Sequence, residues 1–90
     1  MYILDCYKNE SNKKKHGITF EEARDHIFEG ENLLVAGVAY DKDEYRHAII
    51  GKHQGNYYVG IFTIAEQSIR IISVRRASKN EEKQAQELGL

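Results

Sequence analysis

The chain has 90 residues, 41 % hydrophobic and 30 % charged, with thirteen Lys and Arg against fourteen Asp and Glu. That length suits a single domain over 1–90 with a small core, because so short a chain hides only about 60–65 % of its unfolded surface. The single cysteine, Cys6, excludes an internal disulfide and a cysteine-built zinc cage, and no apolar run approaches the roughly 18 residues of a membrane span. The opening MYILDCYKNE has no signal-peptide layout, so an intracellular protein with no cofactor, metal or membrane association is expected. A net charge of −1 excludes a polycation, so any nucleic acid would have to meet a local basic patch.

Residues 2–6 are predicted as a short first strand, which makes Cys6 a core thiol. Residues 9–15 follow as one or two helical turns closed by Gly17. Thr19 and Glu22 have capping-box spacing, with Ile18 and Ala23 placed for a hydrophobic staple. Phe20, Ala23, Ile27 and Phe28 recur at helical spacing, so a helix over 19–29 with one buried face and a stop at Gly30 is expected. Stretches 33–40, 45–53, 57–64 and 68–76 are rich in Val, Ile, Tyr and Phe, which suits strands. The polar links 41–44, 54–56 and 65–67 are of hairpin length and predict an antiparallel meander. Ser78 and Glu81 repeat the capping-box spacing, so a last helix of about two turns is expected. Its only apolar residues are Ala85 and Leu88, and it is expected to fray or to dock on a partner. The fold class is α+β: short N-terminal helices on a mainly antiparallel sheet of four to five strands, with a weak C-terminal helix.

There is no glycine-rich phosphate loop and no GxSxG elbow, and the four histidines have no metal-ligand spacing. Lys13, Lys14, Lys15 and His16 form one basic block, which alone reads as a solvated helix face. Arg70, Arg75, Arg76 and Lys79 form another. Strand alternation over 68–76 puts Arg70, Ile72, Val74 and Arg76 on one face and Ile69, Ile71, Ser73 and Arg75 on the other. Both faces are partly apolar, so the strand should be central. An arginine there must pair with a carboxylate or open onto a polar cleft, because an unpaired buried charge is costly. Arg46 is placed similarly in 45–53. Structural ion pairs with Glu66, Glu81 or Asp5 and a functional cleft both satisfy that requirement.

Asp5, Lys8, Asn12, Lys15-His16-Gly17 and Phe20-Glu21-Glu22-Ala23 resemble the opening signature of the BrnT toxin family. Arg46, Ile50-Gly51, Thr63, Ile69-Arg70-Ile71-Ile72-Ser73, Arg75-Arg76-Ala77 and Glu81 resemble its second signature, so the likeness spans roughly 2–81. Leu4 stands where the family usually has Trp, and Cys6 where it often has Pro. The tail 82–90 lacks the basic residue and tyrosine common after the final Glu. The resemblance implies a RelE-like ribonuclease toxin of a bacterial type II toxin–antitoxin pair, located in the cytoplasm, that cuts RNA and stops translation. It also implies a BrnA-like ribbon-helix-helix antitoxin, a heterotetramer, and contact with DNA only through that antitoxin. The altered tail keeps a second reading open: a non-catalytic binding module, or a degenerate relative using the same sheet.

Metal-free RNA cleavage needs fixed positive charge around the phosphorane, and arginine supplies it as a planar fork that stays protonated. On the family resemblance, Arg70, Arg75 and Arg76 are the candidate clamp, with Arg46, Lys15 and Lys79 as further phosphate contacts. His16 is the candidate proton carrier, or else a residue that closes the first helix beside Gly17. Glu81 is a candidate base or a helix cap.

Overall fold

A computed structural model describes residues 1–35, 39–41 and 44–90. Strand β1 (Tyr2–Leu4) is shorter than predicted because Asp5 caps a helix immediately after it. The Asp5 carboxylate accepts from the N–H groups of Tyr7 (3.0 Å) and Lys8 (3.1 Å) and so starts α1 (Cys6–His16). Cys6 therefore opens a helix instead of ending a strand, and the core-thiol expectation lies outside the described side chains. Gly17, at φ +76°, closes α1 in the left-handed conformation. This helix is polar almost all round, and two asparagines fasten it. Asn9 accepts from the Phe20 N–H at 2.7 Å. The buried Asn12 donates to the Ile18 carbonyl and accepts from the Val74 N–H, both at 3.0 Å. Such bonds satisfy backbone groups that would otherwise be costly to bury.

The Thr19–Glu22 capping box forms as predicted and starts α2 (Phe20–Ala23). From there the chain widens into a π-helical turn, Arg24–Phe28, instead of continuing as α-helix to residue 29. The wider turn lets two consecutive residues face the sheet. Ile27 is fully buried, and Phe28 packs edge-on against Tyr2 and Phe62. The sheet accepts this close approach at two glycines. A Cβ on Gly51 would come within 2.8 Å of Ile27, and one on Gly60 within 2.8 Å of the Phe28 ring.

The remaining strands are β2 (Asn32–Leu34), β3 (Ala39–Asp41), β4 (Glu44–His53), β5 (Asn56–Ala65) and β6 (Ser68–Arg76). The sheet order is β1-β6-β5-β4-β2, with β3 also paired to β4. Every pairing is antiparallel except β1 with β6, so the meander gains a parallel edge strand. The stretch expected as one strand over 33–40 supplies both β2 and β3. Its residues 36–38, and Lys42 and Asp43 of the next link, lie outside the described residues.

The sheet is covered on both faces. On the inner face Ile49, Tyr58, Phe62, Ile71 and Val74 pack with Ile18, Phe20, Ala23 and Ile27. On the outer face Ile50, Tyr57 and Val59 pack with Ala85 of α3 (Lys79–Glu87). That helix does not wait for a partner to dock. Its Ser78–Glu81 capping box forms, Arg75 pairs with Glu81, and the Tyr57 hydroxyl donates to the Leu90 carbonyl at 2.8 Å.

One departure rearranges the candidate site. Ile61 lies opposite Ser73 but Phe62 lies opposite Ile71, so β6 carries one extra residue, Ile72. Cross-strand partners point the same way, and a bulge reverses the alternation beyond it. Arg70 (opposite Thr63), Ser73 (opposite Ile61) and Arg75 (opposite Val59) therefore share the outer face. Arg76, opposite Tyr58, stands on the inner face. The simple alternation that grouped Arg70 with Arg76 is corrected accordingly.

Candidate active site

Four polar side chains meet on the outer face at the end of the sheet away from Tyr57. Glu44 opens β4, and Arg46, two residues on, points the same way by strand period. Arg70 reaches over from β6, and one of its nitrogens donates to both Glu44 oxygens, at 2.9 and 2.8 Å. Arg46 Nε lies 3.8 Å from the same carboxylate. Two guanidinium groups thus converge on one acid. Thr63 faces Arg70 across the strands; it is only 3 % exposed, and its hydroxyl has no hydrogen-bond partner. Glu44, His47, Thr63, Ile64 and Arg70 line a cavity of about 390 Å³ there. A buried hydroxyl without a partner costs free energy, so Thr63 is a polar group that the fold itself leaves unsatisfied.

Arg75 is on the same face but is engaged differently. It forms a two-pronged pair with Glu81, at 2.7 and 2.9 Å. Glu81 also accepts from the Ser78 N–H at 2.8 Å as the cap of α3. The Arg75 fork, then burial working against it, and the Ser78 amide hold the Glu81 carboxyl at about 2. Every group of this pair has a structural task. Arg76 donates to the Asn56 side chain at 3.1 Å and sits 5.6 Å over the Tyr58 ring, exposed at the end of β6. Lys79 begins α3 and is exposed. The structure therefore brings Arg46 and Arg70 together, keeps Arg75 with Glu81, and separates Arg76 from all of them.

His16 and Lys15 lie elsewhere, beside β6. With Lys8 and Ser11 of α1 they line a cleft of about 170 Å³ whose other wall is Ile72 and Ser73. Lys13 is not part of it, because its ammonium is paired with Glu22 at 3.2 Å. Among the described residues, no three His, Cys, Asp or Glu side chains come together in a way that could hold a metal ion. Among them too, no helix is long and apolar enough to cross a membrane.

The model of a family described as the ribonuclease toxin BrnT of type II toxin–antitoxin systems matches residues 5–81. The chain belongs to the BrnT family. No curated protein matches the sequence. BrnT membership makes this α+β chain a ribonuclease toxin by family and implies a protein antitoxin as its partner. Within this BrnT chain, sequence reasoning missed Glu44 as a site residue. Its signal was the two-residue spacing to Arg46, hidden because the strand was predicted to start at 45. Lys8 and Ser11 were missed as cleft residues. Their signal was the helical spacing from Lys8 through Ser11 to Lys15, which needs the earlier Asp5 cap to be seen.

Proposed function

We propose that this chain cuts RNA without a metal, at the outer-face cluster of Glu44, Arg46, Thr63 and Arg70. The observation that carries this reading is the convergence of Arg46 and Arg70 on one carboxylate beside the unpartnered Thr63 hydroxyl. Before RNA binds, Glu44 occupies the guanidinium groups as a phosphate would. A phosphodiester entering the site takes its place on Arg70 and Arg46, beside Thr63. The freed Glu44 carboxylate then takes the proton of the ribose 2′-OH. A bond forms from the 2′-oxygen to phosphorus while the bond to the 5′-oxygen breaks, and that oxygen takes its proton from water. The products are a 2′,3′-cyclic phosphate and a 5′-OH. The two fixed guanidinium groups stabilise the charge that builds on the phosphorane, often the largest catalytic contribution.

On this reading Arg75, Glu81 and Arg76 serve the fold, and Lys79 has no part in the chemistry. Cutting RNA would stop translation in the cytoplasm of a bacterial cell. A BrnA-like antitoxin would lay an acidic segment over the Arg46–Arg70 end and carry the complex to DNA through its ribbon-helix-helix part, as a heterotetramer. The test is incubation of antitoxin-free protein with RNA in EDTA, followed by end-group analysis. Cyclic phosphate and 5′-OH ends are expected. Cleavage that stops in EDTA and returns with divalent ions would overturn the metal-free mechanism. Absence of any cleavage would favour the non-catalytic binding module.

A further inference from the structure

We propose that the cleft between α1 and β6 is a second phosphate subsite, which holds the RNA backbone next to the nucleotide being cut. The inference rests on the ribonuclease reading above and adds to it where the rest of the strand lies.

The cleft is lined by Lys8, Ser11, Lys15, His16, Ile72 and Ser73, together with the buried Asn12, with no carboxylate among these described residues. Among the described residues, Lys8, Lys15 and His16 have neither an ion-pair partner nor a side-chain hydrogen bond, although the molecule as a whole carries a charge of −1. Several of their neighbours are occupied by the fold. Asp5 caps α1, Asn9 holds the start of α2, Asn12 ties α1 to β6, and Lys13 pairs with Glu22. What the fold leaves free on this side of α1 is two ammonium groups, an imidazole and a hydroxyl gathered in one concavity. Like charges held together without counter-ions repel, and an anion in the cleft relieves that repulsion.

The bulge at Ile72 connects this cleft to the catalytic face. It places Ser73 on the same face as Arg70, and Ser73 also lines the cleft. Arg70 and Ser73 lie opposite Thr63 and Ile61, two residues apart on β5, an advance of about 7 Å that a single-stranded chain crosses within one or two nucleotides. A volume of about 170 Å³ is of the size of a phosphate group with part of its sugar. Ammonium and hydroxyl donors with no apolar anchor except Ile72 suit a phosphodiester better than a peptide. His16 is then a backbone contact instead of the proton carrier.

The test uses the full-length protein freed of antitoxin and a short fluorescent 2′-O-methyl RNA, which binds but cannot be cut. Affinity is read by anisotropy over a salt series for the parent, for Lys8→Gln with Lys15→Gln, and for Lys14→Gln. Lys14 lies on the same helix but lines a different groove, with Asn9, Glu10 and Lys13. The double variant should bind at least about tenfold more weakly. Its log-affinity against log-salt slope should be shallower by about 0.7, the value for one phosphate of a single strand. Lys14→Gln should stay within about twofold of the parent. If the double variant melts early, Lys15→Gln alone is used, and its slope decides. A double variant with parental affinity and slope overturns the subsite and leaves the ribonuclease reading intact. A variant that binds RNA normally but loses the antitoxin makes the cleft a protein contact and also overturns it. A parent that neither binds nor cuts RNA removes both readings.

Discussion

The outer face of the sheet carries two arginine–glutamate pairs with nearly the same distances and different surroundings. Arg70 meets Glu44 at 2.8–2.9 Å, and Arg75 meets Glu81 at 2.7–2.9 Å. Glu81 has a second task as the cap of α3, and its arginine is the only cation beside it among the described residues. Glu44 caps no helix among the described residues and has a second guanidinium, Arg46, within 3.8 Å. Nearby Thr63 is buried with its hydroxyl unused. The distance between charges therefore does not distinguish a fastening from a site. What distinguishes them is whether the neighbouring polar groups are all satisfied, because a fastening leaves nothing over, whereas a site keeps a polar group in reserve.

The comparison can be broken most sharply at Glu44. Glu44→Gln keeps the shape of the side chain but removes the proposed base, and the cleavage rate should fall about 100-fold or more, the usual range for general base catalysis. Its melting temperature should stay near that of the parent; a parental rate would make Glu44 a simple counter-ion. At the other pair the effect should appear in stability. Arg75→Ala should cost about 1 kcal/mol and lower the melting temperature by roughly 5 °C, since the pair is partly exposed. The folded fraction should cut RNA at close to the parental rate.

Acid provides a finer probe of the same pair. The Glu81 carboxyl lies at about 2 when folded against an ordinary 4.5, chiefly through Arg75, so its contribution is complete above 4.5 and lost as pH falls towards 2. Glu22 behaves likewise through the Thr19 amide, with Lys13 helping. Glu81→Gln should therefore reduce stability at neutral pH by about 1 kcal/mol and flatten the acid limb between those values, as followed by circular dichroism. An unchanged acid limb would mean that the pair contributes nothing. The smallest effect is expected at Arg76, on the opposite face. Arg76→Ala should change stability by no more than about 0.5 kcal/mol and leave cleavage nearly intact. A large loss of cleavage there would move the clamp to the hairpin end beside Tyr58.

Much of the fold was legible because local chemistry and tertiary packing agree there. The Thr19–Glu22 and Ser78–Glu81 boxes, the Gly17 stop and the strand over 68–76 stand where the sequence placed them. The misses share a cause: each depends on one residue's place in a long-range contact. Nothing local in Arg24–Phe28 announces a π turn, which is set by Gly51 and Gly60 opening space for Ile27 and Phe28. Nothing in Ile71-Ile72-Ser73 announces a bulge, yet that one extra residue decides which arginines can act together. Asp5 falls inside the predicted strand over 2–6, which delays the predicted helix to residue 9 and leaves Lys8 out of it. For the site, residue types were readable and groupings were not, because grouping follows from register.

The most direct measurement compares Arg70→Ala with Arg75→Ala in single-turnover RNA cleavage in EDTA, at a temperature below both melting points. Removing one fixed electrostatic contact from the transition state should slow Arg70→Ala by about 100- to 1,000-fold. Arg75→Ala should stay within about threefold of the parent, the scale of a distant surface change. Equal losses in the two variants, or a parental rate for Arg70→Ala, would contradict the assignment of the Glu44–Arg46–Arg70 end as the catalytic site.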